Sequence, residues 1–197
     1  MVFDHACYSA GMPIPRLDVD HAALLIIDVQ ERLLPSIADR DRVVANGAAL
    51  VRMSVELDIP HLVTEQYVRG LGRTDETITA AMPDSSRRVE KTRFSGLTDL
   101  IDEQLTTWQR SSVIVAGIEA HVCVLQTVLD LQASGRQAFV ATDAISAGQP
   151  DQVGPALDRM RAAGAVPTGV VSAMYEMLGD TGNPAFKACL ELAKQVR

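Results

Sequence analysis

Short apolar runs alternate with longer amphipathic segments along most of the chain. Runs of this kind are typical of parallel strands that are covered by other elements on both faces. We therefore predict six short strands. They span Ala23–Ile27, His61–Val63, Arg88–Glu90, Val113–Ala116, Ala138–Ala141 and Ala165–Val171.

In the amphipathic segments, apolar residues recur every three or four positions, which predicts helices. The predicted helices span Val43–Leu57, Leu97–Trp108, Val122–Ser134 and Val153–Ala163. Gly135 and Gly164 follow two of them, at positions where a left-handed residue commonly ends a helix. Because parallel strands need crossover connections, the alternation predicts an α/β fold. We expect a three-layer αβα sandwich around a six-stranded, mainly parallel, doubly wound sheet.

The length of the chain and the distribution of Pro and Gly favour one domain over residues 1–197, since these residues are scattered and form no linker. Residues 1–20 are predicted to be an N-terminal arm, because Pro13 and Pro15 lie among polar residues without a sustained period. A last apolar segment, Ala185–Ala193, is predicted to be a helix, which would be available for a contact between subunits.

The charge balance is acidic, with 25 Asp and Glu against 18 Lys and Arg and a net charge of −7. This balance argues against nucleic acids and anionic membranes as partners. The apolar run at 22–27 stops at Asp28, far short of the ~20 residues that span a bilayer. The first residues also lack the pattern of a secretion signal. We therefore expect a cytoplasmic protein whose partner is a small-molecule substrate.

Metal and disulfide sites are not indicated. Cys7, Cys123 and Cys189 form no CxxC pair, and the four histidines show no HxH or HExxH spacing. The sequence also contains no phosphate-binding loop and no GxSxG elbow. We expect no metal and no cofactor.

Candidate chemistry centres on residues that follow predicted strands, because ligands of doubly wound sheets bind beyond the carboxyl ends of the strands. Cys123 follows the fourth strand and lies near the start of a helix. The N–H groups and dipole there are expected to lower the thiol pKa from about 8.5 and to form an oxyanion hole. Alternatively, Cys123 merely fills space beneath the helix.

Asp28 and Lys91 end the first and third predicted strands. A carboxylate beside a thiol can accept its proton and return it to a leaving group, and a lysine can stabilise the developing negative charge. The alternatives are a helix N-cap for Asp28 and a solvated rim charge for Lys91. His121 is a poor partner for Cys123, since residues two apart on a helix point to different faces. His61, early in its strand, is interpreted as structural.

Four segments in this order resemble the isochorismatase-like cysteine hydrolase superfamily. They are LLIIDVQ at 24–30, TEQY at 64–67 with GLG at 70–72, VEKTRFS at 89–95 and VAGIEAHVCV at 115–124. The resemblance covers residues 20 to about 175. It implies the same fold, with Cys123 as nucleophile, Asp28 as proton carrier and Lys91 as electrostatic support.

The family also implies a cis peptide bond between Ile118 and Glu119, which would direct the Glu119 N–H beside that of Cys123 into the oxyanion hole. Gln30, Tyr67, Phe94 and Glu119 are expected to shape the substrate pocket. Nicotinamidase relatives carry an Asp-x-His metal site near the second strand, but this chain has VTEQY at 63–67. The resemblance further implies a homo-oligomer.

We therefore predict a hydrolase that acts on a small amide, carbamoyl or related C–N substrate through a thioester-type intermediate. One alternative is isochorismatase-type vinyl-ether hydrolysis, for which Arg69, Arg73 and Arg93 are candidate anion ligands. A second is a non-catalytic binding or assembly module that retains the fold. A flavodoxin-like binder is disfavoured because the phosphate loop is missing.

Overall fold

The computed structural model describes residues 14–196. Six strands form one sheet in the order β3-β2-β1-β4-β5-β6, and every neighbouring pair is parallel. The strands are β1 (Ala22–Ile27), β2 (His61–Gln66), β3 (Arg87–Lys91), β4 (Ser112–Ile118), β5 (Gln137–Ser146) and β6 (Val166–Thr168). The prediction of an α/β fold with a parallel, doubly wound sheet is confirmed.

Eight α-helices accompany the strands within the described residues. They are α1 (Arg40–Glu56), α2 (Val68–Leu71), α3 (Glu76–Ala81), α4 (Asp99–Thr107), α5 (Leu125–Ala133), α6 (Val153–Ala162), α7 (Val170–Leu178) and α8 (Phe186–Ala193). Buried residues of α1, α7 and α8 share one apolar cluster, and those of α4, α5 and α6 share another. The two clusters lie on opposite faces of the sheet.

Strand β1 shows why both faces are covered. Leu24 and Ile26 contribute to the first cluster, whereas Leu25 and Ile27 contribute to the second. Side chains of a strand alternate between faces, so a strand that is apolar at every position is buried on both. The uninterrupted AALLII sequence therefore specifies a central strand, and β1 pairs with both β2 and β4.

The sixth strand is shorter than predicted, because the segment Ala165–Val171 contains both the strand and the start of a helix. Strand β6 ends at Thr168, and α7 begins at Val170. The Val170 N–H donates to the carboxylate of Asp143, which stabilises the first turn of α7. The apolar character of Val170 and Val171 reflects helix burial rather than a strand.

The predicted tail helix exists as α8, and its expected subunit contact stays a prediction. The buried residues Cys189 and Leu192 pack in the same cluster as α1 and α7, so the apolar face is covered within the chain.

Most of the predicted N-terminal arm, residues 1–13 with Cys7, lies outside the described residues. Of the remainder, Leu17 is buried, and its N–H donates to Glu176 Oε1 at 3.1 Å. Within residues 14–196, no helix has both the length and the apolar character needed to cross a bilayer.

Candidate active site

In the sheet, β1 lies beside β4. From β1 the chain adds strands towards one edge of the sheet, and from β4 it adds them towards the other edge. Ligands of such sheets bind at this point, beyond the carboxyl ends of the strands. Asp28 directly follows β1, Lys91 is the last residue of β3, and Cys123 lies in a helical turn that follows β4. The fold thus brings together three side chains that are far apart in sequence.

Asp28 and Lys91 form a buried ion pair. The distance from Lys91 Nζ to Asp28 Oδ2 is 2.6 Å, and neither side chain is more than 1% exposed. The other carboxylate oxygen of Asp28 accepts a hydrogen bond from Thr64 Oγ1 at 2.6 Å. Two buried opposite charges with further hydrogen bonds offset each other's desolvation. The alternative of a solvated rim charge for Lys91 is therefore wrong.

The Lys91 ammonium is held by more than its ion pair. It donates to Gln66 Oε1 at 2.8 Å and to the Phe94 carbonyl at 3.0 Å. Sequence reasoning missed Gln66 and Thr64. Both lie in β2, whose parallel register opposite β1 pairs Ile27 with Thr64. The polar sequence TEQ that ends this strand was the signal available in the sequence.

Cys123 lies in a π-type turn, Ala120–Val124, that leads into α5. The Asp28 carboxylate and the Lys91 ammonium both act electrostatically on its thiol. Burial raises the pKa of the Cys123 thiol to about 12, and the Asp28 carboxylate adds to this more than Lys91 removes. The expected lowering of the thiol pKa is therefore wrong. The desolvation of the buried thiol outweighs the favourable end of the helix.

Glu119 begins the segment that carries the nucleophile candidate. The Ile118–Glu119 peptide bond is cis, at the place that the resemblance implies. The Glu119 carbonyl accepts hydrogen bonds from the N–H groups of Val122 and Val124. Its carboxylate accepts one from the Gly148 N–H at 2.7 Å. Glu119 thus ties the turn after β4 to the loop after β5.

Gln30 was expected to contact the substrate, but the structure uses its amide elsewhere. Its Nε2 donates to the carbonyls of Gly72 and Gln66, and its Oε1 accepts from the Gln66 N–H at 2.7 Å. The side chain is fully buried. These contacts assign Gln30 to anchoring the 66–72 segment and, through Gln66, to the position of Lys91.

Tyr67 and Phe94 expose 57% and 54% of their surface. Tyr67 adopts a left-handed backbone conformation at φ 37°. A Cβ added at Gly70 would lie 2.4 Å from the Tyr67 ring, so the ring packs directly against that glycine. The Tyr67 N–H donates to the Lys91 carbonyl at 2.9 Å. Both aromatic residues are therefore linked through the backbone to Lys91 while their rings face outward.

Two of the three arginines considered as substrate ligands are engaged elsewhere. Arg73 binds the carboxylates of Glu65 and Glu90 at 2.8 and 2.6 Å. Burial alone would raise the pKa of Glu65, but hydrogen bonds from Thr74 and Arg73 outweigh it and lower that pKa. Arg93 binds an aspartate of α5 at 3.1 Å. These contacts weaken the case for a dicarboxylate substrate.

Two histidines, His61 and His121, were considered in the sequence analysis and not assigned to the catalytic group. His61, the first residue of β2, lies at the opposite end of the sheet from Cys123, between the hydroxyl groups of Ser54 and Ser86. Burial lowers the pKa of His61. His121 Nδ1 is buried and has no hydrogen-bond partner within residues 14–196. Across that same range, no three His, Cys, Asp or Glu side chains are grouped as metal ligands.

The class of protein follows from comparison with known proteins. The family model described as "Isochorismatase domain" matches residues 22–171. A protein of Phytophthora sojae named "Secreted isochorismatase effector Isc1" is 36% identical over 194 residues, covering 96% of this chain and 92% of that protein. This chain belongs to the isochorismatase family of hydrolases.

Solved structures agree with this assignment. A structure titled as the MAR1 ribonuclease of Caenorhabditis elegans has a TM-score of 0.88 and 32% identity, over 90% of this chain and 92% of that one. The YcaC gene product of Escherichia coli has a TM-score of 0.85 and 26% identity, over 94% and 92%. Its title describes an octameric hydrolase of unknown specificity.

Proposed function

We propose that this protein hydrolyses a small amide, carbamoyl or related C–N substrate, with Cys123 as nucleophile. The observation that carries the proposal is one group of side chains: Asp28 and Lys91 pair with each other at 2.6 Å, and both act on the Cys123 thiol. A thiol, a carboxylate and an ammonium are the groups that acyl transfer through sulfur requires.

The raised thiol pKa defines the first step. Because Cys123 is protonated at neutral pH, the sulfur attacks the substrate carbonyl carbon while Asp28 takes the thiol proton. Lys91 offsets the negative charge that develops near the sulfur. The N–H groups of Glu119 and Cys123 are the proposed donors to the oxyanion of the tetrahedral intermediate.

The second step releases the amine and forms the thioester. Protonated Asp28 gives its proton to the leaving nitrogen, and the C–N bond breaks. Water then attacks the thioester carbonyl while Asp28 accepts a proton from it. The C–S bond breaks and the sulfur regains a proton, which restores the resting site.

Vinyl-ether hydrolysis of the isochorismatase type is the alternative for the same site. It would protonate the substrate without a bond to sulfur, and a dicarboxylate substrate would need cationic ligands. Arg69 remains a candidate for that role, since Arg73 and Arg93 already bind carboxylates. The ribonuclease name of the C. elegans protein suggests RNA, which the net charge of −7 disfavours.

The test is an assay of wild type and Cys123→Ala against small amides, N-carbamoyl compounds and ureas, with isochorismate and RNA as separate arms. Cys189→Ala is the matched control, because Cys189 is a buried thiol remote from Asp28 and Lys91. We expect C–N hydrolysis that Cys123→Ala abolishes and Cys189→Ala retains, with an acylated Cys123 peptide in quenched reactions. Turnover of any arm that survives in Cys123→Ala would refute the covalent mechanism.

We also propose that the protein is a homo-oligomer, which the octameric assembly named for the E. coli relative supports. Cytoplasmic residence stays a prediction, since the P. sojae relative is named as secreted. The single-domain organisation is likewise a prediction. Sedimentation of the purified chain tests the assembly, with a monomer as the contradicting result.

A further inference from the structure

A groove lies at the end of the sheet opposite Cys123, where β2 and β3 begin. Its volume is about 460 Å³, within the range of roughly 300–1,000 Å³ that is usual for small-molecule sites. The end of α1, the turns before β2 and β3, and the segment after α4 form its walls. None of the proposed catalytic groups lines it, so a ligand here would be separate from the substrate.

The charged groups that line the groove are mostly cationic. Arg87 and Arg110 face it, with Asp58 as the one lining carboxylate. Arg87 uses one Nη1 hydrogen bond, to Gln104 Oε1 at 2.9 Å, and Arg110 uses one, to the Val19 carbonyl at 2.6 Å. Within residues 14–196, the other N–H groups of both guanidinium groups have no acceptor. The groove therefore presents spare donors for an anion.

Helices α1 and α4 end at this groove, and free carbonyl groups at a helix C-terminus would repel an anion. Here most of the terminal carbonyls are occupied. The Ile59 N–H donates to the Ser54 carbonyl at 2.7 Å, and the Arg110 N–H donates to the Leu105 carbonyl at 2.9 Å. Among the charged side chains of the lining, the two guanidinium groups outnumber the single carboxylate.

The hydroxyl and imidazole groups of the groove form a neutral wall. Ser54 Oγ donates its hydrogen to the Val51 carbonyl, so it accepts from His61 Nδ1–H. His61 Nε2 then accepts the hydrogen of Ser86 Oγ at 2.7 Å. The remaining lining serine, Ser85, has no hydrogen bond from its hydroxyl within the described residues and is a further donor.

The apolar part of the lining includes aromatic and proline rings. Trp108, which is half-buried, lies in the wall together with Pro60 and Pro83. An aromatic ring and two prolines offer a surface against which a planar group can pack. We infer that this groove binds a small organic anion, with its carboxylate or phosphate held by Arg87 and Arg110 and a flat apolar part against Trp108.

The chain contains one tryptophan, so its fluorescence reports directly on this groove. The probes are benzoate, inorganic phosphate and the neutral isostere benzamide, at constant ionic strength. We expect a saturable fluorescence change with benzoate, a weaker one with phosphate alone, and none with benzamide. Saturation with phosphate as strong as with benzoate would identify a phosphate site instead, and would refute the stacking part of the inference.

Matched variants separate a built site from general attraction of anions. Arg87→Gln and Arg88→Gln remove the same charge from adjacent exposed positions, but only Arg87 lines the groove. We expect Arg87→Gln to weaken benzoate binding at least about tenfold, as for a lost charged hydrogen bond. Arg88→Gln should leave it unchanged. Equal weakening by both variants, or no saturable change in wild type, would overturn the inference.

Discussion

Lys91 Nζ lies 2.6 Å from Asp28 Oδ2 at the centre of the candidate active site, and neither side chain exposes more than 1% of its surface. Each charge compensates the desolvation of the other. The pair thus holds the proposed proton acceptor in place beside Cys123. It also affects stability, because removal of one charge alone leaves the other buried without compensation, whereas removal of both does not.

The first prediction concerns stability. Lys91→Met leaves the Asp28 carboxylate buried without its cation, which costs about 3–5 kcal/mol. We expect the free energy of unfolding in urea to fall by that amount. The double variant Asp28→Asn, Lys91→Met removes both charges and should regain most of the loss while remaining inactive. A double variant as unstable as Lys91→Met alone would show that the ion pair is not the cause.

The second prediction concerns the reactivity of the Cys123 thiol. Since its pKa is raised to about 12, alkylation by iodoacetamide should be slow at neutral pH and should keep rising well above pH 9. Asp28→Asn removes a group that raises this pKa, so alkylation at alkaline pH should become faster although turnover is lost. Peptide mapping separates Cys123 from Cys189. A titration that is complete below about pH 8.5, the range of an ordinary free thiol, would contradict the prediction.

The third prediction concerns acid stability. Burial lowers the pKa of His61, so the folded state releases a proton that the unfolded chain retains. The contribution of His61 to stability is therefore complete above pH 6.5 and is lost as the pH falls through its folded-state pKa. We expect His61→Gln to flatten the acid limb of urea midpoints against pH. His21→Gln, a substitution at an exposed histidine, is the control, and an acid limb that both variants flatten equally would contradict the prediction.

The fourth prediction compares two glycines with positive φ. Gly117 has φ 122°, and a Cβ there would lie 2.1 Å from the Ile27 carbonyl oxygen, whereas nothing lies within 4 Å of a Cβ at Gly135. Gly135→Ala should cost about 1–2 kcal/mol for backbone strain alone. Gly117→Ala must also displace β1 from β4, so we expect little folded protein by circular dichroism. Similar melting temperatures for the two variants would contradict this reasoning.

Much of the fold could be predicted because a strand that is buried on both faces of the sheet is apolar at successive positions of the sequence. Strand β1 has no polar residue before Asp28, and that abrupt change marked both the strand end and a site residue. Strand β6 was harder to predict because apolar residues continue from the strand into α7. Its end depends on Asp143, a residue of another strand that binds the start of the helix.

The proximity of Asp28 and Lys91 could be predicted from their places at strand ends, but the electrostatics around Cys123 could not. Position in the chain indicated that Cys123 would begin a helix, but depth below the surface and the distance to Asp28 appear only in three dimensions. Those two factors raise the thiol pKa. Gln30 was placed in the pocket for a similar reason: its position beside Asp28 was evident, but the backbone groups of the 66–72 segment that occupy its amide were not.

The sheet order also bears on how the protein is synthesised. A nascent chain that stops before Ser112 already contains Asp28 and Lys91, yet the flank of β1 that pairs with β4 has no partner. The next stretch to leave the ribosome supplies β4 and, a few residues later, Cys123. Prematurely terminated chains therefore lack both the strand that completes the centre of the sheet and the sulfur atom. They should be cleared by proteolysis without ever having had the proposed activity.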